Sequence, residues 1–214
     1  MFGKSEKFNK EYYYSTFIGL ALLLVSLVIN FIASSYASKE ASNAVSDILL
    51  DYLPVVNVSY IFVEGALAFI AFIVILLARK PVTLPYVFKS SALFIFIRAI
   101  SISLTHIAPF PYHSILDTGE FLKNFVFTGD LFFSGHAGLP FLFALNFWWN
   151  RPLRYLFLTC SIIGAVGVIL GHIHYTIDVY AAYFITYAVY SLSKEFFKKD
   201  YQLFLTIFKK EELQ

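Results

Sequence analysis

The chain has 214 residues, of which 59% are hydrophobic and only 14% are charged, and its net charge is +2. Soluble domains carry about a quarter charged residues, so this composition excludes an ordinary soluble domain and is typical of a membrane protein. There is no basic patch outside the ends of the apolar segments, so we expect no nucleic-acid binding. The single cysteine, Cys160, cannot form an intrachain disulfide and is expected to be a small buried hydrophobic residue.

Six apolar segments are long enough to cross a bilayer, which requires about 20 predominantly apolar residues. None alternates like a barrel strand, so we predict an all-α integral membrane protein with six transmembrane helices in one domain. A short segment, 1–14, precedes this domain at 15–193, and a tail, 194–214, follows it. The predicted spans are 15–34, 55–78, 86–107, 134–149, 153–171 and 176–193.

The two ends of the chain each leave a choice open. The first span follows three lysines and ends in small residues, as a signal peptide would, but its apolar run is long for that role, so we expect the helix to be retained. In the tail, lysine pairs alternate with aromatic and aliphatic residues. This pattern favours equally an interfacial amphipathic helix and a solvated helical tail.

Lysine and arginine are distributed asymmetrically between the predicted loops. If the N-terminus is cytoplasmic, the inner segments carry 13 of these 16 residues, the outer loops carry two, and Arg98 lies within the third span. The positive-inside rule therefore predicts a multi-pass protein with both termini in the cytoplasm. The inner residues are Lys4, Lys7, Lys10, Arg79, Lys80, Lys89, Arg151, Arg154, Lys194, Lys198, Lys199, Lys209 and Lys210, and the outer ones are Lys39 and Lys123.

Two polar stretches, 128–136 and 171–178, interrupt the apolar sequence, and the predicted topology brings both to the exoplasmic face. His174 and Asp178 are four residues apart, so on a helix they would share one face. The carboxylate would fix the tautomer of the imidazole and make its free nitrogen a better base or nucleophile. His136, from the other stretch, would be the acid–base partner. We interpret these three residues as a catalytic group for phosphoryl chemistry.

The stretch around His136 also predicts an anion site. Ser134 is expected to cap a helix that begins there, and the free amides of its first turn, at Gly135, would face a phosphate. Pro140, one turn later, predicts a kink. An alternative is that the stretch is only a capped helix start.

His172 is a secondary candidate, for which we favour a loop histidine that faces water. A metal site is a further alternative, but no compact ligand motif is present, so we expect neither a metal nor a cofactor. The residues that could act as ligands are His136, His172, His174, Asp130 and Asp178.

Glu64 and Arg98 lie at matching depths in the second and third predicted spans, about ten residues below their outer ends. A lone charge at this depth is unfavourable, so we expect the two to pair. A structural ion pair and a role for Arg98 in binding a lipid phosphate are equally favoured.

At these residues the sequence resembles the sphingomyelin synthase family, a branch of the type 2 phosphatidic acid phosphatase (PAP2) superfamily. Residues 129–136 resemble the third motif of that family, and residues 174–183 closely resemble the fourth. Residues 98–109 resemble the second motif, and Leu53-Pro54 is a remnant of the first. The resemblance implies a PAP2-like bundle of six helices with an exoplasmic His-His-Asp triad.

The resemblance also implies a reaction. His174, oriented by Asp178, would attack the phosphorus, and His136 would protonate the departing diacylglycerol oxygen and then deprotonate the acceptor. Members of the family move phosphocholine or phosphoethanolamine from a glycerophospholipid to ceramide. The implied partners are a phospholipid donor and a lipid alcohol acceptor, and a homo-oligomer is left open.

One departure concerns the charge of the substrate. The classical lipid phosphatases of the superfamily have an arginine where this chain has Val166-Gly167-Val168. A phosphomonoester is close to a dianion and is bound by several cations, so Arg98 alone is better matched to a monoanionic phosphodiester. A cationic headgroup would meet Asp130 and rings such as Tyr175, although interfacial packing of the rings is favoured.

Two alternative functions remain. One is a lipid phosphatase or phospholipase C-type hydrolase that uses the same residues with water as the acceptor. The other is a non-enzymatic transporter, against which the clustering of polar groups at one membrane face counts.

Overall fold

The structure, a computed structural model, describes residues 9–115 and 129–211, with side chains as far as residue 206. Within these ranges the chain is helical and contains no strand. Predictions that concern Lys4, Lys7, Lys123 and Thr128 fall outside them. The helices are α1 (Lys10–Lys39), α2 (Gly65–Arg79, preceded by a π-helical turn, Tyr60–Glu64), α3 (Leu84–Ser103, preceded by a 3-10 turn, Pro81–Thr83), α4 (Gly135–Asn146), α5 (Arg151–Leu170), α6 (Thr176–Phe196) and α7 (Lys198–Glu211).

Four segments of the described chain are long and apolar enough to cross a membrane, which confirms the all-helical membrane class but not the predicted count of six. α4 has only 12 residues. At a rise of about 1.5 Å per residue it falls well short of the roughly 30 Å of a hydrocarbon core. α6 has sufficient length, but its tyrosines, serines and threonines make it less apolar. The four segments are Lys10–Lys39, Tyr60–Arg79, Pro81–Ser103 and Arg151–Leu170.

The connections that carry the polar motifs gather at one end of the bundle, which we call the loop end. The N–H of Ser42 donates to the carbonyl of His106 at 2.8 Å, and the N–H of Ser114 donates to the carbonyl of Gly171 at 2.8 Å. The N–H of Ser134 donates to the carbonyl of Asp178 at 3.2 Å, which joins the two motifs directly. The loop end comprises residues 40–59, 104–115, 129–134 and 171–175.

α4 packs against α5 and α6, and Pro140 shapes this contact. The helix continues past Pro140 to Asn146, but proline has no N–H, so the carbonyl of His136 lacks its usual partner one turn later. Gly164 of α5 packs against that carbonyl, and a Cβ at Gly164 would collide with it. Ser161 donates its hydroxyl to the next carbonyl, that of Ala137, at 2.7 Å. The proline thus allows α5 to approach the helix that carries His136.

α7 folds back onto the opposite end of the bundle. Phe204 is fully buried and packs against Tyr86 and Phe147. The carboxylate of Asp200 accepts hydrogen bonds from Lys89 Nζ and Ser15 Oγ, both at 2.6 Å. These contacts attach the tail to α1 and α3. The sequence analysis predicted either an interfacial amphipathic helix or a solvated helical tail, and neither prediction included this packing.

We predict that Phe204→Ala lowers the free energy of unfolding by about 3 kcal/mol, because a buried ring is removed and a void remains. The measurement is thermal unfolding of the purified protein in detergent. Phe196→Ala is the matched control, because the Phe196 side chain is 64% exposed. Equal stabilities of the two variants would contradict the packing of α7.

Candidate active site

His174 and Asp178 face each other at the start of α6. Nδ1 of His174 lies 3.5 Å from Oδ2 of Asp178, and the two side chains are 4% and 1% exposed. The same carboxylate oxygen accepts the N–H of Tyr175 at 2.9 Å. The two side chains therefore approach each other as the spacing predicted, with His174 in the turn before α6 and Asp178 in the first turn of that helix. Asp178 caps the helix and faces the imidazole at once.

The separation of this pair is longer than a hydrogen bond of about 2.7–3.2 Å. Catalytic hydrogen bonds are often long in ligand-free enzymes and shorten when substrate binds. Because Nδ1 of His174 is directed toward Asp178, Nε2 is the ring nitrogen that remains for a substrate.

His136 lies in the first turn of α4, where its ring stacks on Phe62 with centroids 3.9 Å apart and planes at 28°. Ser134 occupies the N-cap position, as predicted, but its side chain makes no capping hydrogen bond. The buried Ser134 Oγ has no hydrogen-bond partner among the described residues. The start of α4 therefore holds a fully buried hydroxyl beside its first-turn amides.

Arg98 pairs with Asp130, so the predicted pair of Arg98 with Glu64 is wrong. Its Nη2 and Nη1 lie 2.5 and 3.0 Å from the two carboxylate oxygens of Asp130. Nε donates to the carbonyl of Phe133 at 2.9 Å, and Nη1 also donates to Asn30 at 3.3 Å. Glu64 lies in the π-helical turn and is exposed. Position along a span predicts depth, but not the direction in which a side chain leaves the helix.

This pairing changes the role expected for Asp130. Burial raises the pKa of the Asp130 carboxyl, but the neighbouring groups together, chiefly the charge and hydrogen bonds of the Arg98 guanidinium, hold the pKa below its ordinary value. A hydrogen bond from Ser34 at 2.9 Å acts in the same direction. Asp130 is thus a charged, neutralised partner of Arg98, and not the free carboxylate predicted to meet a cationic headgroup.

His172 is buried, whereas the sequence favoured a histidine facing water. Its side chain is 3% exposed, and Nδ1 lies 2.9 Å from the carbonyl of Tyr112. Its φ of 53° lies in the left-handed region, which is uncommon for a residue with a side chain. Nε2 has no partner among the described residues. No local pattern around His172 could reveal the loop that covers it, since Tyr112 is far away in the chain.

A cavity of about 1040 Å³ brings most of these residues together. Four histidines line it, at positions 113, 136, 172 and 174, and its polar end also holds the Arg98–Asp130 pair. Its walls are apolar and come from α2, α3 and α5, through residues such as Ile70, Ile95 and Ile163. Cys160 is half-buried in this wall, a position that its apolar neighbours in sequence did not reveal.

Not every predicted substrate-binding residue lines the cavity. Gly135 does, and a Cβ there would lie 3.4 Å from Arg98 Nε. Tyr175 instead lies behind the wall, where its hydroxyl donates to the carbonyl of Ala108 at 2.9 Å. Asn30 of α1 and Phe62 of the π-helical turn are wall residues that the sequence analysis missed, because each lies in an apolar stretch with no other distinguishing feature.

Comparison with known proteins gives one match. A family model described as PAP2 superfamily C-terminal matches residues 128–195, about a third of the chain. No curated protein and no solved structure gave a match. The matched segment contains His136, His174 and Asp178. It supports placement of the chain in the PAP2 superfamily and, with the apolar helices, indicates an integral membrane lipid enzyme of the phosphatase or phosphotransferase type.

We predict that Arg98 and Asp130 are strongly coupled in stability. Arg98→Ala leaves a buried carboxylate without its counterion, and the expected loss is about 3 kcal/mol or more. Asp130→Ala leaves the guanidinium unpaired in the same way, so the double variant should be less destabilised than the sum of the two. The measurement is the free energy of unfolding in detergent for all four proteins. Glu64→Ala, at an exposed site, is the control.

Additive losses would contradict this coupling. The pH dependence gives a second check. Because the pKa of Asp130 is lower than its ordinary value of 3.8, the stabilisation is present at neutral pH and is lost as pH falls through the lowered pKa.

Proposed function

We propose that the protein is a membrane phosphotransferase that moves phosphocholine or phosphoethanolamine from a glycerophospholipid to a lipid alcohol such as ceramide. The observation that carries the proposal is the His174–Asp178 contact at 3.5 Å beside a cavity that also holds His136. A buried imidazole that faces a carboxylate is the arrangement of an activated nucleophile.

The reaction has two displacements at phosphorus. Nε2 of His174 attacks, the bond from phosphorus to the glycerol oxygen breaks, and His136 gives its proton to the diacylglycerol that leaves. The headgroup phosphate is then bonded to His174. In the second step the hydroxyl of the acceptor lipid loses its proton to His136 and attacks phosphorus, and the bond to His174 breaks. Asp178 stabilises the positive charge on the imidazole.

The charge of the cavity supports a phosphodiester substrate. Arg98 and Asp130 are the only Lys, Arg, Asp or Glu side chains among the described residues that line it, and they pair with each other. Among the described residues that line the cavity, a dianionic phosphomonoester would therefore meet no lysine or arginine other than the paired Arg98. A phosphodiester that carries a cationic headgroup has little net charge, and it fits a site whose own charges cancel.

The shape of the cavity supports an amphiphilic substrate. Its apolar walls suit acyl chains, and the polar end suits the phosphate, which the first-turn amides of α4 at Gly135 and His136 would bind. On the charge distribution we further propose that the loop end faces the exoplasmic side, with both termini in the cytoplasm.

Hydrolysis, with water as the second acceptor, is the alternative that the superfamily match supports. Hydrolysis would use every residue named above. Only the products distinguish hydrolysis from headgroup transfer.

We predict that His174→Ala abolishes headgroup turnover, on the order of 10⁶-fold, because the nucleophile is lost. Purified protein is incubated with a headgroup-labelled phospholipid, with and without ceramide, and the labelled products are separated. A new labelled lipid that requires ceramide supports transfer, and free phosphocholine or phosphoethanolamine indicates hydrolysis. His106→Ala, a histidine substitution at the loop end but outside the cavity wall, should retain activity. Undiminished turnover by His174→Ala would defeat the mechanism.

We predict that Cys160→Trp reduces turnover of long-chain phospholipids more than that of short-chain ones. The larger side chain fills the cavity wall at the level of the acyl chains, while the polar end stays open. The measurement is kcat/KM for donors of increasing chain length. Ile162→Trp is the control on the same helix, since Ile162 is 58% exposed and does not line the cavity. The same chain-length profile for both variants would contradict an acyl-chain cavity.

A further inference from the structure

The loop that follows α1 reaches across the loop end and contacts the start of α6. Asp47 in this loop is 8% exposed. Its Oδ2 accepts the N–H of Thr176 at 2.7 Å, and its Oδ1 accepts the Thr176 hydroxyl at 2.6 Å. Oδ1 also accepts the N–H groups of Leu49 and Leu50, at 2.9 and 3.1 Å. A single carboxylate thus orders its own loop and holds the first residue of α6.

Further contacts hold the same turn from both sides. Tyr175, next to Thr176, is 2% exposed, and its hydroxyl accepts the N–H of Val45 at 3.3 Å and donates to Ala108. The carbonyl of Gly171, before the histidines, accepts from Ser114 at 2.8 Å. The turn that carries His174 is therefore attached to two loops that are distant in sequence.

We propose that Asp47 is a positioning residue for the His174–Asp178 pair. Thr176 lies midway between His174 and Asp178 in the chain. Because the Asp47 carboxylate holds Thr176 in place, it also determines how closely His174 and Asp178 approach each other. This inference rests on the proposed function and adds to it a residue outside the PAP2-matched segment.

Helix capping alone does not require Asp47. Asp178 already caps α6 locally, through the N–H of Tyr175 at 2.9 Å. Asp47 comes from 129 positions earlier in the chain, so its bonds to Thr176 connect α6 to the loop that follows α1. Both carboxylates interact favourably with the positive end of the helix dipole. Burial raises the pKa of Asp47, but hydrogen bonds from Thr176, Leu49 and Leu50 outweigh it and hold the pKa below its ordinary value.

The test compares Asp47→Ala with Asp47→Asn and with Glu40→Ala, which removes an exposed carboxylate from the same loop. For Asp47→Ala we expect kcat for headgroup turnover to fall about 100-fold, because small displacements of catalytic groups have effects of this size. KM should stay within about twofold, since the cavity that binds the lipid is unchanged. Asp47→Asn keeps one acceptor oxygen and should recover part of kcat, and Glu40→Ala should match the wild type.

Amide hydrogen exchange of residues 171–179 gives a readout that needs no activity. Asp47→Ala should speed exchange at Tyr175 and Thr176, and Glu40→Ala should not. Thr176→Val removes only the hydrogen bond from the Thr176 hydroxyl to Asp47 and should speed exchange by a smaller amount. This variant provides the test if Asp47→Ala does not fold. Unchanged exchange, or an unchanged kcat in an active enzyme, would overturn the positioning role. A wild type that turns over no phospholipid would defeat the proposed function, while the exchange result would still decide the role of Asp47.

Discussion

The buried ion pair of Arg98 and Asp130 is the interaction on which the cavity depends. It joins α3 to the loop before α4, and the hydrogen bonds to Asn30 and to the carbonyl of Phe133 extend it to α1 and to the residue preceding Ser134. A guanidinium in an apolar bundle is stable only when its donors are satisfied, so these partners must stay in place together. The start of α4, and His136 with it, is positioned as a result.

The sequence predicted most features that depend on a short stretch of the chain, and fewer of the contacts between residues that are far apart in it. Spacing predicted that His174 and Asp178 would meet, and apolar length predicted most helices, since both are properties of a short stretch. Matching depth suggested a partner for Arg98 but could not give the direction of its side chain, so Asp130 was missed as that partner. The burial of His172 and the contact of Asp47 with Thr176 depend on loops that are far apart in the chain, and no local pattern encodes them. The count of six spans exceeded the four that the described helices support, because α4 has only 12 residues and α6, although long enough, is less apolar.

The two halves of the candidate site are held by different means. His136 sits on a short helix whose proline exposes a carbonyl, and α5 packs against that carbonyl through a glycine. His174 sits in a turn that is attached by side-chain and backbone hydrogen bonds to two neighbouring loops. Close helix packing makes the half with His136 rigid. The half with His174 is held by hydrogen-bonded loops, so its geometry depends on a few polar side chains. Substitutions far from the cavity should therefore affect the second half more readily than the first.

The mutual neutralisation of Arg98 and Asp130 has a consequence for how a substrate arrives. A cavity whose fixed charges cancel at close range exerts almost no attraction beyond about a Debye length, so ionic strength should have little influence on capture. An amphiphile would instead reach the apolar walls by diffusing within the plane of the membrane. The relevant concentration is then the mole fraction of the lipid in the bilayer or micelle. Diluting it with inert detergent at constant bulk concentration should slow the enzyme.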